Sequence, residues 1–153
     1  MTRTFRELVR NEQGASIIEM AMLAPILLTL LIGMVDISRA YSARLQLEQA
    51  AHRSIEKVMQ YQANSSTYST LYAEAATAAG VTVAEVTVDY WLECNGARQA
   101  DYNSSCPSGQ TYARYISVSI DKNFSPMFGT RFFPGANSDG TFTITGDAGL
   151  RTQ

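Results

Sequence analysis

Three hydrophobic patterns follow one another along the chain. From Met20 to Val35 no residue is charged, and Ala15 to Val35 supplies the roughly 20 mostly apolar residues that a helix needs to cross a bilayer. Past Val35, the positions Ile37, Tyr41, Leu47, Ala51, Ile55, Val58 and Met59 recur near one stripe at spacings of three and four, with charges between them. That spacing predicts one helix leaving the apolar stretch and continuing as an amphipathic rod. No proline or glycine interrupts it from Met34 to Gln62. Asp36 with Arg39, and Glu48 with His52, stand three and four residues apart and would support the rod by a few tenths of a kcal/mol each. The stretch "NSSTYS" then breaks the pattern, and "TLYAEAATAAG" predicts a second, short helix stopped by Gly80.

After Gly80 the period becomes two. Val86, Val88, Tyr90 and Leu92 alternate with Thr87, Asp89, Trp91 and Glu93; Arg114, Ile116, Val118 and Ile120 alternate with Tyr115, Ser117, Ser119 and Asp121; Phe142 and Ile144 alternate with threonines. These runs predict three strands. The expected fold is therefore α+β, a long N-terminal helix packed on a small antiparallel sheet of about three strands. Its expected divisions are a polar N-terminal segment over 1–14, a membrane helix over 15–35, an extramembrane continuation over 36–62 and an α+β domain over 63–153.

Two connections carry more than turn residues. "CNGARQADYNSSC" is rich in Asn, Ser and Gly, and its ends, Cys94 and Cys106, are close enough in sequence to bridge a surface loop. Such a closure contributes on the order of 3 kcal/mol and requires an oxidising compartment, which places the region after the helix outside the cytoplasm. Two free thiols in a cytoplasmic domain are the competing reading. The connection over 124–136 holds Phe124, Met127, Phe128, Phe132 and Phe133 among its turn residues. It reads as a loop folded onto the sheet, with an exposed apolar contact surface as the alternative.

Charge and composition narrow the function. The 153 residues carry 12 basic against 14 acidic side chains, a net charge of -2, which gives no basic excess for nucleic acid. His52 is the sole histidine, so a His-based metal site or triad lacks a second member, and no metal or cofactor is expected. "DYNSSCPSGQTY" begins like a calcium loop, but Cys106 stands where the turn glycine belongs and Tyr112 where the bidentate glutamate belongs. No P-loop, G-x-S-x-G or paired-carboxylate pattern is present, and the chain reads as a non-enzyme.

Glu19 is the residue that asks for an explanation. It lies just inside the apolar run, the fifth residue after Gly14, with Pro25 further along. A charge at the centre of a membrane helix costs roughly 2.5 to 3.5 kcal/mol on insertion scales, less near an end. Placement at the helix N-terminus, where the macrodipole favours an anion, accounts for part of that. It does not account for the spacing from Gly14. Pro25 in turn reads as a tolerated kink whose freed carbonyl neighbours or water can satisfy. The basic flanks do not orient the span, since Arg3, Arg6 and Arg10 precede it and Arg39, Arg44 and Arg53 follow.

The glycine, the glutamate and the polar leader together resemble the class III signal of type IV pilins. The longer stretch "GASIIEMAMLAPILLTLLIGMVDISRAY" resembles the N-terminus of TadE-like proteins, the pilin-like minor components of tight adherence (Flp/Tad) pili. The matching positions are Gly14, Glu19, Pro25, Gly33, Asp36 and Arg39; Met20 departs from the aromatic residue favoured beside the glutamate. The resemblance implies cleavage between Gly14 and Ala15 by a prepilin peptidase on the cytoplasmic face. It implies a single pass through the bacterial inner membrane with the C-terminal domain in the periplasm, and assembly with other major and minor pilins on assembly-platform proteins. It also implies that Glu19 pairs with the freed amine of Ala15 on a neighbouring subunit. A membrane-tethered binding module that never enters a pilus is the alternative, and an envelope enzyme is a third.

Overall fold

The computed structural model describes residues 12–60, 65–127 and 135–152. Residues 1–11 of the expected leader, and Phe128, Phe132 and Phe133 of the aromatic connection, lie outside the described residues. So do Gln62 and Asn64, and the side chains of Val58 and Met59. The elements are α1 (Glu12–Gln60), α2 (Ser65–Ala79), a short 3-10 turn (Val83–Glu85), β1 (Val86–Cys94), β2 (Ala97–Arg98), β3 (Tyr112–Phe124) and β4 (Phe142–Arg151). The chain divides into two compact units, one ending at Arg39 and one beginning at Ala40, and α1 contributes to both.

In the second unit, α1 and α2 cover one face of an antiparallel sheet. The sheet has four strands in the order β2-β1-β3-β4, rather than three. The additional strand exists because Asn95 and Gly96 both take positive φ, 50° and 79°, the geometry of a two-residue hairpin turn whose twist matches the strands. It returns for only two residues, pairing Glu93 with Arg98 and Cys94 with Ala97. β3 and β4 extend beyond the expected runs, and α2 begins inside the stretch expected to break the helical pattern, at Ser65.

The helical side of the core is made of small residues. Leu47, Ala50, Ala51, Ser54 and Ile55 are buried on α1 and Leu71, Ala75 and Ala76 on α2, facing Val86, Val88, Ile116, Val118, Ile120 and Ala148 of the sheet. The expected stripe is thus correct at Leu47, Ala51 and Ile55 and wrong before them, since Ile37 and Tyr41 are 73% and 64% exposed. At about 100° per residue, Ile37 sits some 80° around the helix from Leu47 and Tyr41 about 120°, so neither shares its face. Alanine and serine let the helix approach closely. Ser54 satisfies its hydroxyl by donating to the Ala50 carbonyl at 2.8 Å. At Gly146 the approach becomes absolute, because a Cβ there would lie 2.5 Å from the backbone of Leu47 and Glu48.

Ends and edges are closed by identifiable groups. Gly80, at φ 64°, ends α2, with Val81 N–H donating to the Ala76 carbonyl at 3.0 Å. The open side of β1 is occupied by the Tyr72 hydroxyl, which donates to the Val88 carbonyl at 3.2 Å, and by the Gln99 N–H, which donates to the Leu92 carbonyl at 2.8 Å. Cys94 and Cys106 form a disulfide, closing the loop between β2 and β3. Arg114 holds the same loop from beneath, donating through Nε to the Tyr102 carbonyl and through Nη2 to the Ser104 carbonyl, both at 3.2 Å. The Tyr102 ring packs edge-on to Tyr90 at 5.4 Å.

Candidate assembly segment in the apolar helix

The sequence-derived processing, assembly and kink residues all fall on the first part of α1. Gly14 and Ala15 lie in its first turn, since the helix begins at Glu12, and a glycine there costs about 1 kcal/mol of helix propensity relative to alanine. Glu19 is four residues past Ala15, one turn along the same face, and is exposed. Its neighbours Ile18 and Met20 are each 65% exposed.

Further along, the helix is bare of internal packing. Leu23, Leu27, Leu30 and Met34 are all more than half exposed, and no part of the most apolar window is buried inside the protein. Apolar side chains left this open in water forgo part of the roughly 1.5 to 3 kcal/mol each that full burial contributes, so a lipid or protein surround would stabilise this stretch. The helix is long and apolar enough to cross a membrane.

Pro25 lies inside α1 and lacks the N–H that would bond the Ala21 carbonyl. One turn on, the Thr29 hydroxyl donates to the Ile26 carbonyl at 2.8 Å. At the far end Asp36 is buried and accepts from Arg39 at 3.3 Å. That pair was expected from spacing; the Glu48–His52 pair was not formed, because Glu48 accepts instead from Arg44 at 3.1 Å and His52 is exposed. Gly33 has no atom within 4 Å of where a Cβ would stand.

The sheet carries a polar and aromatic row in which the alternation had placed Asp89, Trp91, Glu93 and Tyr115 but not Arg98. On its outer face Trp91 stacks on Tyr115 at 5.2 Å, Arg98 lies 4.9 Å from the Trp91 ring centre, and Asp89 receives both bonds of Arg98 Nη2 at 2.8 and 3.0 Å. Trp91 Nε1 donates to Glu93 at 2.8 Å. The Asn95–Gly96 dipeptide was the available signal for Arg98 reaching this row, because only the hairpin brings it back beside β1.

Chemistry-bearing residues elsewhere turn inward on their own backbone. Asp101, first residue of the calcium-like stretch, accepts from the Asn103 N–H at 2.9 Å, and among the described residues no group of three or more His, Cys, Asp or Glu gathers. Bonds from the Thr82 N–H and hydroxyl hold the Glu85 carboxyl below its ordinary range. The Thr141 N–H and hydroxyl do the same for Asp139.

Comparison with known proteins bears on the helix. No curated protein and no solved structure matches the chain. Residues 14–55, which run from the glycine before Ala15 to the last buried isoleucine of α1, match the family described as TadE-like protein.

Proposed function

We propose that this chain is a minor pilin or pseudopilin of a Flp-type tight adherence pilus. The observation that carries the reading is the match over residues 14–55, with Gly14, Glu19 and Pro25 in order on one helix whose Leu23, Leu27, Leu30 and Met34 are all more than half exposed. A prepilin peptidase cuts between Gly14 and Ala15, leaving the helix anchored in the inner membrane and the sheet in the periplasm. The oxidised cysteine pair fits that compartment.

Cleavage frees a positive amine on Ala15, and Glu19 supplies the opposite charge. Within one chain the two stand a helical turn apart; between staggered chains the same carboxylate meets a neighbour's amine. In a medium of low dielectric either pairing offsets much of the cost of the buried carboxylate. The subunit is then extracted and joins other major and minor pilins on the assembly platform. The test is the N-terminal sequence of the mature protein in a strain with its own peptidase. A mature chain beginning at Ala15, and loss of processing in Gly14→Glu, is expected; wild-type protein still beginning at Met1 refutes the reading and favours a permanent anchor.

A further inference from the structure

Two carboxylates bracket the charge-free run of α1, and they differ in their surroundings. Glu19, before the run, is exposed. Asp36, after it, is buried and accepts from Arg39 at 3.3 Å. A charge that is paired and turned away from acyl chains costs less in a bilayer than one that faces them, so the two are unequal limits to the span.

Length makes the difference count. At about 1.5 Å per residue, Glu19 to Val35 covers only about 24 Å, against about 30 Å of bilayer hydrocarbon. Tilt shortens that projection further. A helix that keeps both carboxylates outside therefore falls about 6 Å short, and one of them has to enter. A span over Ala15 to Val35 carries the exposed Glu19 about 6 Å inside. A span over Glu19 to Arg39 has the same length and carries Asp36 about 4.5 Å inside, where it is already buried and paired.

The side chains beyond Val35 favour the second register. Ile37, Tyr41 and Leu45 are exposed apolar residues, as are Leu30 and Met34 before them. At about 100° per residue the five fall within about 80° of one another around α1, and the next charge inside that arc is Glu48. The open apolar face of the span thus runs on past Val35 without a break. Tyr41 stands one turn past Ile37, and tyrosine is enriched where a membrane meets water.

We propose that a phospholipid bilayer surrounds α1 from Glu19 to Arg39, with Glu19 at one boundary of the hydrocarbon and the Asp36–Arg39 pair at the other. Ile37 then packs against acyl chains and Tyr41 lies among the headgroups. The register rests on the apolar helix entering a membrane and is the same for a pilin precursor and for a permanent anchor.

The two registers place the bilayer midplane at different residues, near Thr29 for Glu19 to Arg39 and near Pro25 for Ala15 to Val35. The test uses the full chain with Trp91→Phe, which keeps an aromatic ring against Tyr115, and one new tryptophan from Ile26→Trp, Leu30→Trp or Ile37→Trp. Each variant is reconstituted in phosphatidylcholine vesicles brominated either near the acyl-chain ends or near the glycerol, since bromine quenches tryptophan on contact. Deep bromines should quench Leu30→Trp more strongly than Ile26→Trp, and shallow bromines should quench Ile37→Trp. The reverse order at the first two positions, or an unquenched Ile37→Trp with water-like emission, overturns the boundary in favour of Ala15 to Val35. Absence of quenching at all three positions overturns the boundary together with the membrane helix itself, so the two failures are told apart.

Discussion

Single residues in this chain have effects that follow from their surroundings, and Gly146 is the sharpest case. Gly146→Ala drives a methyl group into the Leu47 backbone, which cannot move without lifting α1 from the sheet; a loss of about 1 to 3 kcal/mol is expected, the usual cost of overpacking. Gly149→Ala is the control. It meets only ordinary contacts and removes a flexible residue from a strand, so it should be neutral or stabilising by about 0.5 kcal/mol. Chemical denaturation of the two variants measures both, and equal losses would show that helix contact is not the reason for the first. Glu85 gives a pH effect of defined sign. Its folded-state pKa is depressed by the Thr82 bonds, so their contribution is complete above the unfolded carboxyl range and disappears as pH falls through the folded value. A carboxyl titration by NMR should place Glu85 below the ordinary glutamate range, and Thr82→Val should raise it only in part, because the Thr82 N–H bond, the larger cause, remains.

At the scale of elements, α1 combines one stretch that the sequence specifies by composition with one that it specifies by periodicity, and the two were legible to different degrees. A run without charge from Met20 to Val35 reads as membrane-spanning whatever the rest of the chain does. The packed stretch was located correctly only where Leu47, Ala51 and Ile55 repeat; Ala50 and Ser54 carry no strong hydrophobic signal, yet they set how closely the helix meets the sheet. β2 was not legible at all, and β4 was legible only over its first residues, Phe142 to Ile144. "GDAGLR" has no β-branched residue, and its Gly146 reflects the α1 backbone that approaches the strand rather than what the strand prefers. The outer-face row of Arg98, Trp91 and Tyr115 depends on the hairpin return at Asn95–Gly96, a short signal that competes with ordinary loop composition. Within α1, Glu19 separates assembly from anchoring. Glu19→Ala removes a costly charge, so insertion should be equal or better, and processing at Gly14 should continue. If the carboxylate pairs with the Ala15 amine of a neighbour, piliation should nevertheless fail. Pilus counts by electron microscopy beside immunoblots of processing decide it, and normal piliation would leave the helix dipole as the better account of this glutamate.

For the whole molecule, the question is what lets a small α+β unit, carried on a helix long and apolar enough to cross a membrane, stay folded on its own. Its core is built from alanines and short aliphatic residues on the helix side, so each contact buries little area, and the loop over 99–111 closes one end of the sheet with polar residues. That loop is tied twice, covalently by Cys94–Cys106 and non-covalently by Arg114 bonding the Tyr102 and Ser104 carbonyls. The two ties act on different states. The disulfide shortens the excursions of the unfolded chain and by chain-entropy reckoning contributes about 3 kcal/mol, whereas the Arg114 bonds exist only when the loop is already docked. Cys94→Ala with Cys106→Ala should therefore lower stability by about 2 to 4 kcal/mol in the full chain, while the sheet amides of β1 and β3 stay protected because Arg114 still holds the loop. Arg114→Met alone should cost about 1 to 3 kcal/mol, and far more in the cysteine-free background, since the loop would then have neither tie. Denaturation of the four species gives the coupling energy between the two ties directly. Strict additivity would mean that they order separate parts of the loop, and the dual closure argued here would be wrong.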